Sequence, residues 1–212
     1  MDKKNFQLPF QHWIEKYEGY SNEALLLELS SLSVLPDESD LSWEDNQTWE
    51  NLAYPYLALA RIAGERRIKE AVPLLFEKSS YGDPYEMVQG IRHSIEKIVN
   101  PDWDALNEIC IKITQSPHRG ARLWAVRELG ILRNKDSFDT LVNALNDDDL
   151  IQYQACMSLE MLCQNNPEYL ILVEQAFVKY LSEKHNDFKT SSANKFLSKI
   201  QEMKTLNQDK IE

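Results

Sequence analysis

Four histidines, three cysteines, a run of three aspartates and five tryptophans are what this 212-residue chain offers for chemistry. A zinc site on helices or hairpins needs ligands a few residues apart, as in H-E-x-x-H or C-x-x-C. His12, His93, His118 and His185 are too scattered to form such a pair. Cys156 and Cys163 stand seven residues apart, which puts both on one helical face, and Cys110 also lies in an apolar helical pattern. All three read as buried thiols of a reducing compartment. Asp147-Asp148-Asp149 has the acidity of half a calcium loop but lacks the glycine and the closing glutamate, so it reads as a turn and helix cap. No phosphate-binding glycine loop and no G-x-S-x-G nucleophile turn occurs. The sequence therefore assigns no catalytic, metal or cofactor-binding residue.

What remains is a surface. Lys plus Arg number 23 against 34 Asp plus Glu, a net charge of -11. That balance disfavours general nucleic-acid binding, where phosphates are met by a basic face. The charge is uneven: residues 1–60 carry net -8, residues 61–135 net +3 and residues 136–212 net -6. No run of 18 apolar residues is present, so no membrane span is expected. No secretory signal is visible at the start, and a cytoplasmic location is expected.

The elements that must position this surface are helices. Only 6 Gly and 8 Pro occur, and 43% of the residues are hydrophobic. Phe10, Trp13, Ile14 and Tyr17 follow helical spacing; Ser21 caps a second helix through Leu25, Leu29 and Leu32. Residues 36–45 hold five acids and read as an acidic loop. Regular helical pairs follow, with starts expected at Gln47, Arg67, Asp83-Pro84, Trp103, Ser116-Pro117, Phe138, the Asp147–Asp149 run, Asn166-Pro167 and Phe188. Pro55 predicts a kink or a delayed start in the first of them. Trp103 is expected to pack as a staple.

These helices repeat. Ala121 to Leu129 and Ile151 to Leu159 share one pattern, and Met87 to Ile95 fits it less closely. The closing apolar positions Ala63, Ile95, Leu129 and Leu159 are spaced 32, 34 and 30 residues apart. A helix pair of this size cannot bury its apolar face alone, so stacked copies must complete the core.

Residues 47–178 resemble HEAT repeats, in particular the short HEAT-like kind of the phycobilin lyase group. Ala121, Arg122, Ala125, Leu129 and Gly130 match the first helix of that motif, and Thr140, Leu141, Leu145, Asn146 and Asp147 match the second. Gly64, Ala71, Val72, Leu75 and Phe76 match in the first copy; Val88 and Glu96 replace the usual Arg and Gly in the middle one. The resemblance implies an all-α fold, an α-α superhelix with an N-terminal helical cap over residues 1–45, repeats over 46–183 and a capping helix and tail over 184–212. It also implies that Arg122 pairs with an acid of a neighbouring repeat, Glu86 or Asp149 being expected. The second helices, near 67–78, 102–115, 137–145 and 167–183, would form the concave face.

Such repeats serve many tasks. The expected function is a non-catalytic protein-binding scaffold, or a small inhibitor or immunity-type protein, acting on a partner with a basic patch. Bilin handling is the alternative; a HEAT-like DNA glycosylase, with Trp103, Trp124, Arg119, Arg122 and Arg127 near its base, is a more distant one opposed by the net charge. The expected protein-binding residues are Trp124, Arg127, Arg92, Asp148, Asp149, Glu38 and Asp40: aromatics and arginines to hold the complex, carboxylates to steer it.

Overall fold

A computed structural model of the chain describes residues 3–35, 46–79 and 87–208, and every regular element among them is helical. The expected acidic loop, with Glu38 and Asp40, and the Asp83-Pro84 helix start lie outside the described residues. The chain divides into two compact units, one of residues 1–105 and 118–121, the other of residues 106–117 and 122–212.

The first unit holds α1 (Lys3–Glu18), α2 (Asn22–Ser31), α3 (Asn46–Arg66), α4 (Ala71–Glu77) and α5 (Met87–Val99). Ser21 starts α2 as expected, its side chain accepting the Ala24 amide proton at 3.2 Å. Pro55 lies inside α3, which runs through it without a break. α1 and α2 pack on α3, and α3 packs along α5. Tyr17, Leu25, Leu29, Leu59, Ile62, Leu75, Phe76, Ile91 and Ile95 form the core. Arg66 ties α3 to the cap by donating to the carbonyls of Glu18 and Tyr20, the latter at 2.6 Å. The second helix of the first pair begins at Ala71, not Arg67, because Arg67 is left-handed at φ 54°. It closes α3: the Ile68 amide reaches the Ala63 carbonyl and the Arg67 amide that of Gly64, the paired bonds of a Schellman turn. Trp103 was expected to pack, yet it is 40% exposed at the start of α6 (Trp103–Ile113). Asp102, and not an aromatic staple, supports that helix start, accepting from the Ala105 amide at 3.2 Å.

The second unit holds the rest of α6 and of α7 (Arg119–Leu132), with α8 (Phe138–Ala144), α9 (Asp149–Asn165), α10 (Leu170–Leu181) and α11 (Asp187–Gln208). Single 3₁₀ turns, Lys135–Ser137 and Pro167–Tyr169, lead into α8 and α10, so α10 starts later than Asn166-Pro167 suggests. α8 packs on α9, and α11 on α9 and α10. Leu106, Cys110, Ala125, Leu129, Leu141, Ile151, Leu159, Val173, Phe177, Phe196 and Ile200 fill the core.

One packing device recurs in both units. The four frame positions Ala63, Ile95, Leu129 and Leu159 are all buried. Gly64 follows the first and meets Ser94, which precedes the second; a Cβ on Gly64 would lie 2.9 Å from Ser94 Cα. Gly130 follows the third and meets Ser158, which precedes the fourth; there a Cβ would lie 2.8 Å from Ser158 Cα. Only glycine lets the helices come this close. Ser158 fixes the second contact by donating to the Val126 carbonyl at 2.8 Å. Arg133, four residues past Leu129 as Arg67 is past Ala63, is left-handed in the same way at φ 53°.

Candidate functional site

The Asp147–Asp149 turn between α8 and α9 is where the second unit gathers its charged groups. Asp148 is the N-cap of α9, its carboxylate accepting from the amides of Leu150 at 3.2 Å and Ile151 at 3.1 Å. That satisfies donors a helix start leaves open and places negative charge at the positive end of the dipole. Asp147 faces the other way and takes a two-pronged grip from Arg122 on α7, Nε to Oδ2 at 2.7 Å and an Nη to Oδ1 at 2.9 Å. The remaining Arg122 nitrogen donates to the carbonyls of Ser116 at 3.0 Å and Pro117 at 3.3 Å. Burial opposes ionisation of Asp147, but the Arg122 hydrogen bonds and the Asp148 amide outweigh it and hold its carboxyl below the usual aspartate range. Asp149 is half exposed; it accepts from Asn186, the residue before α11, at 2.9 Å and lies 3.9 Å from Lys189 Nζ on that helix.

Arg122 does pair with an acid, but the acid is Asp147, in the turn between α8 and α9, and not Asp149. Asp149 already belongs to the α9 helix and points toward α11, while Asp147 precedes the cap and lies over α7. The side chain of Glu86 lies outside the described residues.

Beside the Arg122–Asp147 pair opens a cleft of about 490 Å³ lined by Thr114, Gln115, Arg122, Val126, Thr140, Asn143, Ala144, Asn146 and Asp147. Thr140 and Asn143 lie one turn apart on α8, and Asn146 follows in the turn beyond it. The cleft carries no aromatic residue and two apolar ones, Val126 and Ala144. Thr114, Gln115, Thr140, Asn143 and Ala144 fall within two of the segments expected to bind, near 102–115 and 137–145, whereas Arg122, Val126, Asn146 and Asp147 lie outside them.

A second surface feature is apolar. On α10, Ile171, Leu172 and Val178 are each roughly half exposed. On α9, Leu150 and Met157 are exposed on one stripe, and Phe188 of α11 stands beside Tyr153 with ring centroids 6.4 Å apart. Most exposed large apolar side chains among the described residues belong to this unit.

The remaining expected binding residues are not brought together. Trp124 is buried, at 3% exposure, so it is a packing residue and not a surface anchor. Its place one residue before the small Ala125 turns it inward with the core stripe. Arg92 is half-buried and held by Glu96 one turn on along α5. Arg127 is exposed on α7, with no ion pair among the described residues. Glu38 and Asp40 lie outside those residues.

Two features went unread in the sequence. Glu128 is a carboxylate buried to 2% exposure, and with burial itself its charge pushes the Cys110 thiol well up. Burial likewise pushes Cys156 and Cys163 up to about 12, which makes the thiolate, the nucleophilic form, scarce. Gln152 Oε1, Tyr180 OH and Asn107 Oδ1 are buried without a hydrogen-bond partner. No signal in the sequence marks them, since each occupies an ordinary inward helical position. No three His, Cys, Asp or Glu among the described residues are placed to hold a metal ion, and no helix is long and apolar enough to cross a membrane.

Compared with protein-family models, with curated proteins and with solved structures, the chain gives no match.

Proposed function

We propose that the chain is a HEAT-like α-solenoid that binds another protein without chemistry of its own, as a scaffold or as an inhibitor of immunity type. The observation that carries this reading is the exposed apolar face of α10, Ile171, Leu172 and Val178, within residues 136–212 of net charge -6. Half-exposed aliphatic side chains clustered on one helix are what a partner covers. A helix fixed by its neighbours presents them preformed, so little ordering entropy opposes association. The surrounding charge favours a partner with a basic patch. Asp149, half exposed at the rim, would then act on the rate of encounter more than on the lifetime of the complex.

The bilin alternative gains no support from the cleft, whose lining is polar and without aromatics. The test is affinity capture from the native host, identification by mass spectrometry, and association kinetics with the purified partner at about 50 mM and about 500 mM salt. The on-rate should fall with salt, and Asp149→Asn should lower it further at low salt. A salt-independent on-rate removes steering; tight binding to random duplex DNA at physiological salt removes the protein-partner reading.

A further inference from the structure

The cleft beside Arg122 has a chemistry that the exposed apolar face does not share. Its only charges cancel, because Arg122 and Asp147 are locked together and the remaining Arg122 donors go to backbone carbonyls. An anionic ligand would find no unengaged cation in the lining and two carboxylates, Asp147 and Asp148, close by. A sugar ring or a nucleobase would find no aromatic side chain to stack on. A lipid or pigment would find only Val126 and Ala144 as apolar residues in the wall.

What the lining does offer is neutral and bifunctional. Asn143 and Asn146 are exposed, and their carboxamides make no hydrogen bond to other described residues; Gln115 is engaged only by a long 3.5 Å contact to Thr114. Thr140, half-buried, adds a hydroxyl. A carboxamide both donates and accepts, so it suits a ligand that presents donors and acceptors side by side without charge, as an exposed peptide main chain does. Resting on the protein-binding reading above, we infer that this cleft holds an extended segment of the partner by its main chain, with little regard to side-chain identity. Where the segment passes the Asp147–Asp149 turn, a lysine or arginine is favoured by the half-exposed carboxylate of Asp149.

The probe is a capped octapeptide, acetyl-Ser-Ala-Ser-Lys-Ser-Ala-Ser-Ala-amide, titrated into the full-length protein labelled for amide NMR. Saturable shifts of the Gln115, Asn143 and Asn146 side-chain NH₂ signals are expected in the millimolar range, the strength of a few net hydrogen bonds. Methylating alternate peptide nitrogens should weaken the titration about tenfold. The Asn143→Ala/Asn146→Ala double variant should weaken it equally while its thermal unfolding stays that of the parent, since both side chains are exposed. Maltose and inorganic phosphate are run alongside. The inference is overturned if the peptide leaves those signals unmoved, if methylation changes nothing, or if maltose or phosphate moves the same signals as strongly. A failure here leaves the protein-binding reading to its own test, in which the α10 surface and not the cleft is altered.

Discussion

The first and second halves of the helical array use the same seam and diverge beside it. Gly64 against Ser94 and Gly130 against Ser158 are one device in two places, each followed by a left-handed arginine that ends the first helix. Seven residues before each closing apolar position, the two halves differ. Tyr56 in the first unit is buried, its hydroxyl donating to the Leu75 carbonyl. Arg122 in the second takes the equivalent place, grips Asp147 and leaves a polar cleft at its side. One position before the closing residue, Ile62 has its counterpart in the buried carboxylate Glu128. Close-packed positions are fixed by backbone separation, whereas those at the edge of the seam can change chemistry while the helices stay in place. The second unit has used that freedom, and it also carries most of the exposed apolar side chains among the described residues and all three cysteines.

Changes at the shared seam should have the largest effects. Leu129→Ala and Leu159→Ala should each cost roughly 2–5 kcal/mol in urea titration, because both side chains are fully buried and leave a cavity. A loss below about 1 kcal/mol would put the repeat frame out of register. Gly130→Ala should cost about 1–3 kcal/mol by overpacking, since its Cβ meets Ser158 backbone and moving Ser158 strains a buried hydrogen bond. Gly64→Ala should be comparable, and an effect in one unit alone would break the comparison.

The divergent position comes next. Arg122→Ala should cost about 1.5–3 kcal/mol by removing charge-assisted hydrogen bonds to a half-buried carboxylate. The pH dependence has a fixed sign. Asp147 is held below its ordinary aspartate value, so its contribution is present above that value and is lost as pH falls through the lowered one. Acid unfolding monitored below about pH 4 should be less steep in Asp147→Asn than in the parent. An unchanged acid limb would separate the ion pair from stability.

The smallest signal is a reactivity. Because every cysteine lies in the second unit and burial raises all three thiols, Ellman's reagent at about pH 8 should react only as that unit opens. Prompt native-state reaction of Cys110 would contradict its place in the core; Cys110→Ser should destabilise by burying a hydroxyl.

How far the sequence reaches follows the same division. The frame residues Ala63, Ile95, Leu129 and Leu159 are legible because helical periodicity and burial are one signal. The Ser21 cap and a capping role within the Asp147–Asp149 run are legible because few residue types can satisfy open amides. Which aspartate meets Arg122 is not, since three neighbouring carboxylates differ only in the side of the cap on which they fall. A tryptophan serves as an anchor or as core, so the sequence leaves Trp124 open to both readings, and its burial makes it a packing residue. The sequence limits the exposed α10 face only to the range 167–183, because the unbroken apolar run Leu170 to Val173 does not separate a packed side from an open one.

The central claim is that a partner is held by the surface of the second unit. Its most direct test is the dissociation constant of the captured partner for Leu172→Glu and Val178→Glu on α10, set against Leu27→Glu on α2, where the leucine is 72% exposed. The account predicts at least about a tenfold loss for the two α10 variants, as for a truncated contact at an interface core, and parental affinity for Leu27→Glu. Parental affinity in both α10 variants, or an equal loss in Leu27→Glu, would contradict it.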